Sequence, residues 1–144
     1  MTAPDLPIRV RESNDPIRFY FDESALGLGL AVAAARSDAI YPGHDRSPIR
    51  PGTLDMDWVP VVAKAGWVVV LRDKRLDRRP AEVAALAANS MRALVLNRAG
   101  QLTVWGQLRQ LTRWWDAVEE QVQQPAPWIA VLNSKGIRLK PYPA

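Results

Sequence analysis

The chain has 144 residues, 48% of them hydrophobic, so it is long enough for one domain with a packed core and too short for two. It contains no cysteine, which excludes disulfides, thiolate catalysis and thiolate metal sites, and its net charge of +4 is compatible with a polyanionic partner such as RNA. It lacks an apolar run of about 18 residues and an N-terminal signal pattern, so we expect a cytoplasmic protein without a membrane span.

The N-terminal part predicts a leader, a strand and a helix. Residues 1–16 hold three of the twelve prolines and are expected to form a flexible leader, so the single domain spans residues 17–144. Apolar residues alternate from Ile17 to Phe21, which predicts a strand, and residues 25–36 predict the helix that follows. Asp22 and Glu23 lie between the two. They either cap the helix or point into the crevice above the sheet, where open α/β folds bind ligands.

The middle of the chain predicts two more strands and a helix. Residues 38–43 predict a short strand, and the irregular segment 42–54, which contains the single histidine, has a length typical of functional loops. A helix is expected from Asp55 to Gly66, since acidic residues suit its first turn and glycine its end. The apolar run 67–72 predicts a strand buried on both faces, as in a parallel sheet.

The C-terminal part continues the alternation of helices and strands. Pro80 begins a predicted helix that reaches residue 90, and residues 91–97 predict another buried strand. One amphipathic helix is expected over 103–124, and a hairpin over 128–140. This order predicts a three-layer α/β/α domain with a mostly parallel central sheet.

The three tryptophans of segment 103–124 are assigned by their helical spacing. Trp105 and Trp115 share the apolar face with Leu108 and Val118, so we expect both rings in the core. Trp114 lies off that face and is expected to meet a partner chain.

Two glycines of the first helix superficially suggest a dinucleotide-binding loop. Gly27 and Gly29 do not directly follow the strand, and the third glycine of that motif is missing. We interpret them as positions of close helix packing.

Four aspartates are expected to approach one another at the sheet's edge. Asp22 follows the first strand and Asp73 follows strand 67–72, while Asp55 and Asp57 begin the helix that leads into the latter. The carboxyl ends of parallel strands share one edge, so these groups can converge. Clustered carboxylates are unfavourable unless a cation lies among them, and oxygen ligands suit Mg²⁺ or Mn²⁺ better than zinc.

The stretches FYFDES (19–24) and DMDWVPVVAKAGWVVVLRD (55–73), with the helix and strand that follow, resemble the PIN-like domain. The closest resemblance is to the branch of VapC-type ribonuclease toxins from bacterial type II toxin–antitoxin pairs, over about residues 17–132. The resemblance implies an endoribonuclease that hydrolyses RNA phosphodiester bonds with metal-activated water. It implies three catalytic and metal-binding residues, Asp22, Asp57 and Asp73, with Asp55 as a competitor of Asp57 and with Glu23 and Asp77 as further ligands.

Two positions depart from the family pattern. Members often carry Thr or Ser two residues before the acid that matches Asp73, where this chain has Leu71, and a further acid is common where strand 91–97 ends on Asn97. These departures leave open a catalytically inactive PIN-like module that binds RNA or protein. A phospho-receiver-like domain with Asp73 as acceptor is a third alternative.

The charge is unevenly distributed along the chain. Residues 1–57 hold six basic and nine acidic side chains, a net of −3, whereas residues 58–144 hold thirteen and six, a net of +7. The basic segment beside the proposed metal site is either a solvated loop or an RNA-binding element that consists of Arg72, Lys74, Arg75, Arg78 and Arg79. The resemblance further implies a small antitoxin protein that occludes the crevice, and a homodimer.

Overall fold

The computed structural model describes residues 15–72, 80–97 and 103–142. The strands are β1 (Phe19–Phe21), β2 (Ala39–Ile40), β3 (Val68–Arg72), β4 (Arg92–Leu96), β5 (Trp128–Asn133) and β6 (Gly136–Lys140). The helices are α1 (Leu26–Ala35), α2 (Asp55–Ala65), α3 (Pro80–Ala88), α4 (Val104–Arg113) and α5 (Trp115–Val122), and a 3₁₀ turn, Glu23–Ala25, joins β1 to α1. Within these ranges no helix is long and apolar enough to cross a membrane.

The strands of the described residues form one sheet in the order β2-β1-β3-β4-β5-β6. Neighbours from β2 to β5 are parallel, and β6 pairs antiparallel with β5 as a hairpin. The chain leaves β1 for β2 on one side and then crosses to β3 on the other. β1 and β3 therefore flank the topological switch point, where α/β folds open a crevice. We call the side on which the parallel strands end the carboxyl edge.

Helices cover both faces of the sheet, which confirms the predicted three-layer α/β architecture. Successive strand residues point to opposite faces, so Phe19 and Phe21 join one core with α1, α4 and α5, whereas Tyr20 joins the other with α2 and α3. Residues 68–71 of β3 are at most 1% exposed. This confirms the prediction that strand 67–72 is buried on both faces.

Two glycine predictions are also confirmed. A Cβ atom on Gly29 would lie 2.7 Å from the Phe21 Cβ, and one on Gly27 would lie 2.6 Å from the Val104 Cγ2, so both positions serve close packing of α1. Gly66 ends α2 with a φ of 77°, a left-handed conformation that glycine adopts without strain.

The prediction of a single helix over 103–124 is wrong. The chain bends at Trp114, whose φ of −107° and ψ of 19° are not helical, and the segment forms α4 and α5. The apolar stripe assumed one continuous helix; Leu108 and Leu111 of α4 do pack on the core, and the first residue of the stripe lies outside it. Trp105 is 67% exposed and not in the core, whereas Trp115 packs on Phe19 as expected, with ring centroids 5.3 Å apart. Trp114 is half-buried and packs against the core, and its contact with a partner chain stays a prediction.

Candidate functional site

Asp22 lies at the switch point, directly after β1, and is only 4% exposed. Its backbone N–H donates to the Val70 carbonyl of β3 at 3.0 Å, which fixes the residue against the neighbouring strand. Its Oδ2 accepts hydrogen bonds from the Ser24 N–H at 3.2 Å and from the Ser24 hydroxyl at 2.7 Å. The capping interpretation of Asp22 is therefore confirmed, because the carboxylate caps the 3₁₀ turn, and its role in a crevice above the sheet stays a prediction.

Ser24 is a site residue that the sequence analysis missed. Its Oγ donates to Asp22 and also accepts the backbone N–H of Arg72 at 3.2 Å, so it links the end of β1 to the end of β3. The family hydroxyl expected two residues before Asp73 is replaced by Leu71, which is buried in the core. A hydroxyl thus reaches this edge from another part of the chain. The local signal was only that of a capping serine, since the contact with β3 spans 48 residues.

Asp55 and Asp57 occupy different environments at the start of α2. Asp55 is half-buried and its Oδ1 accepts the Trp58 indole N–H at 2.8 Å, whereas Asp57 is exposed. The Trp58 ring packs on Tyr20, with centroids 5.4 Å apart. Asp55 is therefore the aspartate of this pair that is connected, through Trp58, to Tyr20 of β1.

The electrostatics of Tyr20 lead to the same distinction. Burial raises the pKa of the Tyr20 hydroxyl, and the negative charges of Asp22, Glu23 and Asp55 raise it further. Each of these three carboxylates therefore lies near enough to Tyr20 to act on its hydroxyl, whereas Asp57 is not among the groups that do so.

Glu23 ties the long loop to the switch point. Its side chain is exposed, and its Oε1 accepts the backbone N–H of Gly52, which has a left-handed φ of 84°. The loop is also ordered around His44, whose Nδ1 accepts the Arg46 N–H at 3.0 Å and whose ring meets the Tyr41 ring edge-on. In this structure His44 organises the loop rather than being merely solvated.

The predicted metal site is only partly covered by the described residues. Arg72 is half-buried at the end of β3, but six predicted residues lie outside the described ranges: Asp73, Lys74, Arg75, Asp77, Arg78 and Arg79. Among the residues that the structure does describe, no three acidic or histidine side chains come close enough to hold a metal ion together. The convergence of Asp22, Asp57 and Asp73 therefore stays a prediction.

A buried acid in the first turn of α3 was also missed. Glu82 is 7% exposed, and α3 begins on the side where β3 ends, so this carboxylate belongs to the carboxyl edge. An acid in the first turn after a buried strand is the signal that could have identified it.

A second charged cluster lies at the opposite edge, where β1 and β2 begin. Arg18 donates to Glu119 at 2.6 Å and to Asp38 at 3.2 Å, and Arg36 donates to Asp38 at 2.8 Å. Burial raises the pKa of Asp38, but the hydrogen bond and charge of Arg36 and the charge of Arg18 outweigh this and hold that pKa below its usual value. The cluster joins α5 to the sheet and lies away from the crevice.

Comparison with known proteins gives one family match. A family model described as a PIN like domain matches residues 17–98, which is more than half of the chain. The match runs from β1 to β4 and includes the switch point, while α4, α5 and the β5–β6 hairpin lie beyond it. No curated protein and no solved structure gives a significant match.

Proposed function

The chain belongs to the PIN-like domain family, a nuclease-type fold, and from this premise we propose that it is a metal-dependent endoribonuclease. The observation that carries the proposal is Asp22, a carboxylate 4% exposed at the switch point of a parallel sheet. Ser24 holds this carboxylate with two hydrogen bonds, and Asp55 and Glu23 add their charges to the same region. A buried anionic site at this place suits a cation-dependent reaction on a phosphodiester.

The donor chemistry fits a hard divalent cation. The candidate ligands carry oxygen only, the chain has no cysteine, and its one histidine is engaged by a backbone N–H. Mg²⁺ or Mn²⁺ would be held by Asp22 and Asp73, together with Asp55 or Asp57. When bound, such an ion supplies positive charge that lowers the pKa of a water and offsets the charge of the phosphate.

The residues of the chain prepare the site before substrate arrives. The Ser24 N–H and hydroxyl hold one Asp22 oxygen in place, and the Arg72 N–H in turn holds the Ser24 hydroxyl. A carboxylate oriented in this way does not reorganise when charge develops nearby, and this lowers the barrier. RNA phosphates would be held by Arg72 and by the basic residues that follow it, Lys74, Arg75, Arg78 and Arg79.

The decisive experiment is a cleavage assay with matched aspartate variants. Purified protein should cut single-stranded RNA with Mg²⁺ or Mn²⁺, and EDTA should stop the reaction. Asp22→Asn should abolish cleavage while the protein stays folded, because asparagine caps a helix as well as aspartate does. Asp116→Asn, at an exposed position of α5, is the control and should retain full activity. Cleavage that survives EDTA or Asp22→Asn would refute the proposed site.

The same assay decides between the two aspartates of α2. We expect Asp55→Asn to lose more activity than Asp57→Asn, because Asp55 shares the environment of Asp22 and Asp57 is exposed. An equal or larger loss in Asp57→Asn would instead favour the original match of Asp57 to the family acid.

We further propose that the protein is the toxin of a type II pair, with a small antitoxin protein as partner. Support comes from the resemblance of residues 19–24 and 55–73 to VapC-type toxins. Expression of the chain should arrest bacterial growth, and co-expression of a neighbouring small open reading frame should relieve the arrest. Growth that is unaffected by a protein active on RNA in vitro would contradict the toxin assignment and leave the nuclease assignment intact.

One observation favours the second candidate, an inactive PIN-like module that binds RNA or protein. In the described ranges the acids do not form a three-ligand metal site, and β4 is followed by Asn97 where a further acid is common. This candidate predicts RNA binding without cleavage at any Mg²⁺ or Mn²⁺ concentration, and equal affinity for the wild type and Asp22→Asn.

A further inference from the structure

A groove lined by two arginines opens at the carboxyl edge beside the end of β5, outside the range matched by the family model. It has a volume of about 470 Å³ and lies between α4 and the β5–β6 turn. Its lining includes two arginines, an aromatic ring and several uncharged polar side chains, namely Arg109, Arg113, Trp114, Gln110, Thr112 and Ser134. We call it the basic groove.

The two arginines of the basic groove differ from three arginines that hold parts of the fold together. Arg18 and Arg36 pair with carboxylates, and Arg92 donates to backbone carbonyls, so these three are occupied by structural contacts. Arg109 and Arg113, by contrast, are exposed and form no ion pair with a carboxylate in the part of the chain that the structure describes. α4 itself contains no acidic residue. The positive charge of the groove is therefore not neutralised by its own helix.

The Arg113 side chain is also held in place. Its guanidinium lies over the Trp114 ring, 5.3 Å from the ring centroid. An arginine stacked in this way keeps the N–H groups at the edge of its plane available, and their fork geometry matches a phosphate. The hydroxyls of Thr112 and Ser134 add further hydrogen-bonding groups to the same lining.

The basic groove lies on the same edge of the sheet as the switch point and contacts the end of β4. The Leu132 carbonyl at the end of β5 accepts the Asn97 N–H at 2.9 Å and the Gln110 side-chain amide at 3.0 Å. The end of β4 and the lining of the groove therefore meet at one carbonyl. Between β1 and β5 there are three strand spacings, or about 14 Å. Stacked nucleotides place one phosphate per about 3.4 Å along a strand, so this distance corresponds to about four nucleotides.

We propose that the basic groove binds the backbone phosphates of single-stranded RNA, about four nucleotides from the phosphodiester that is cleaved beside Asp22. The proposal rests on the proposed function for the position of the scissile bond. It adds a substrate-positioning surface that lies in the C-terminal part of this chain, and it sets a minimum length for an efficiently bound substrate.

Binding is measured separately from cleavage, in EDTA, by fluorescence anisotropy of a labelled single-stranded RNA of about 12 nucleotides. Arg109→Ala and Arg113→Ala should each weaken binding about tenfold, as expected for a lost charge-assisted contact. The double variant should reduce the slope of log affinity against log salt by about 1.4, since a single-strand contact contributes about 0.7. Lys64→Ala removes an exposed charge from α2 at the opposite edge and should leave the slope unchanged.

The outcomes separate the groove from the nuclease assignment. Loss of RNA binding in the double variant of a protein that never cleaves RNA would support the groove and refute the nuclease. Unchanged affinity and salt slope in the double variant would overturn the groove, even with cleavage intact. An equal loss in Lys64→Ala, or equal competition by heparin, would also overturn it, because binding would then reflect net charge alone. If the protein is an active enzyme, a substrate that ends about two nucleotides from the scissile bond does not reach the basic groove. The double variant and the wild type should therefore cleave such a substrate equally well.

Discussion

The two glycines of α1 allow a sharp test of how this helix is held against the sheet. Gly27→Ala and Gly29→Ala introduce the same methyl group into the same helix, at nearly the same closest distance from a neighbouring atom, 2.6 Å and 2.7 Å. The neighbours differ. At Gly29 the methyl meets the Cβ of Phe21, which is attached to the backbone of β1, whereas at Gly27 it meets the Cγ2 of Val104, the end of a side chain that is 42% exposed.

The expected magnitudes follow from two opposing contributions. Replacing glycine by alanine in a helix stabilises it by about 1 kcal/mol. At Gly29 the helix must also move by about 0.7 Å to restore an ordinary 3.4 Å contact with Phe21. Because the contacted Cβ cannot turn away from the helix, the cost of overpacking falls in the upper part of its usual range, about 2–3 kcal/mol. We expect Gly29→Ala to lower the free energy of unfolding by about 1–2 kcal/mol. Val104 can turn outward, so we expect Gly27→Ala to lie between neutral and a gain of about 1 kcal/mol.

Urea unfolding followed by tryptophan fluorescence and circular dichroism measures both variants. With a slope of about 2 kcal/mol per molar urea, the midpoint should fall by about 0.5–1 M in Gly29→Ala and should not fall in Gly27→Ala. Equal destabilisation of the two variants, or a Gly29→Ala protein as stable as the wild type, would refute the reasoning that the mobility of the contacted atom decides the sign.

Variants at three further positions test the contacts around the sheet. Ser24→Ala removes two hydrogen bonds of the switch point and should lower the free energy of unfolding, measured by urea unfolding, by about 2 kcal/mol. In the cleavage assay the same variant should change kcat more than KM. Ser24→Thr keeps the hydroxyl and should restore both the stability and kcat. Asp38→Asn should lower the free energy of unfolding by about 1–2 kcal/mol at neutral pH. This value is small for two ion pairs because both arginine partners are partly exposed, and solvent weakens the attraction. The pKa of Asp38 is lower in the folded than in the unfolded protein, so its ionised form stabilises the fold above the unfolded pKa, and this stabilisation is lost as pH falls below about 4. The free energies of unfolding of the wild type and Asp38→Asn should therefore converge at the lowest pH. Arg92→Met, which keeps the aliphatic stem but not the bonds to the ends of α2 and α5, should shift the thermal midpoint down by several degrees, as about 2 kcal/mol predicts for this chain length.

Much of the architecture could be predicted from local patterns. Strand 67–72 was predicted from consecutive apolar residues, and the end of α2 from Gly66, because burial on both faces and a left-handed residue each leave a signature in neighbouring residues. The position of Asp22 at a strand end was predicted for the same reason. These features depend on interactions within a few residues, or on the simple rule that parallel strands end on one edge.

Prediction failed where a short-range pattern did not define the path of the backbone. The stripe of segment 103–124 is periodic, but the helix is interrupted at Trp114, and Trp105, one turn before the residues of α4 that pack on the core, faces solvent. Asp55 and Asp57 both suit a first helical turn, and only the packing of Trp58 on Tyr20 separates their environments.

The sequence by itself therefore determined the class of fold, the order of its strands and the acid at the end of β1, because periodicity, caps and strand ends are properties of contiguous residues. Only the tertiary structure decided that Ser24 bridges to Arg72, that Asp55 shares the surroundings of Asp22, and that two arginines of α4 line a groove beside β5. Those relations join residues that are far apart in the chain, and their distances depend on how the crossovers and helices pack on the sheet.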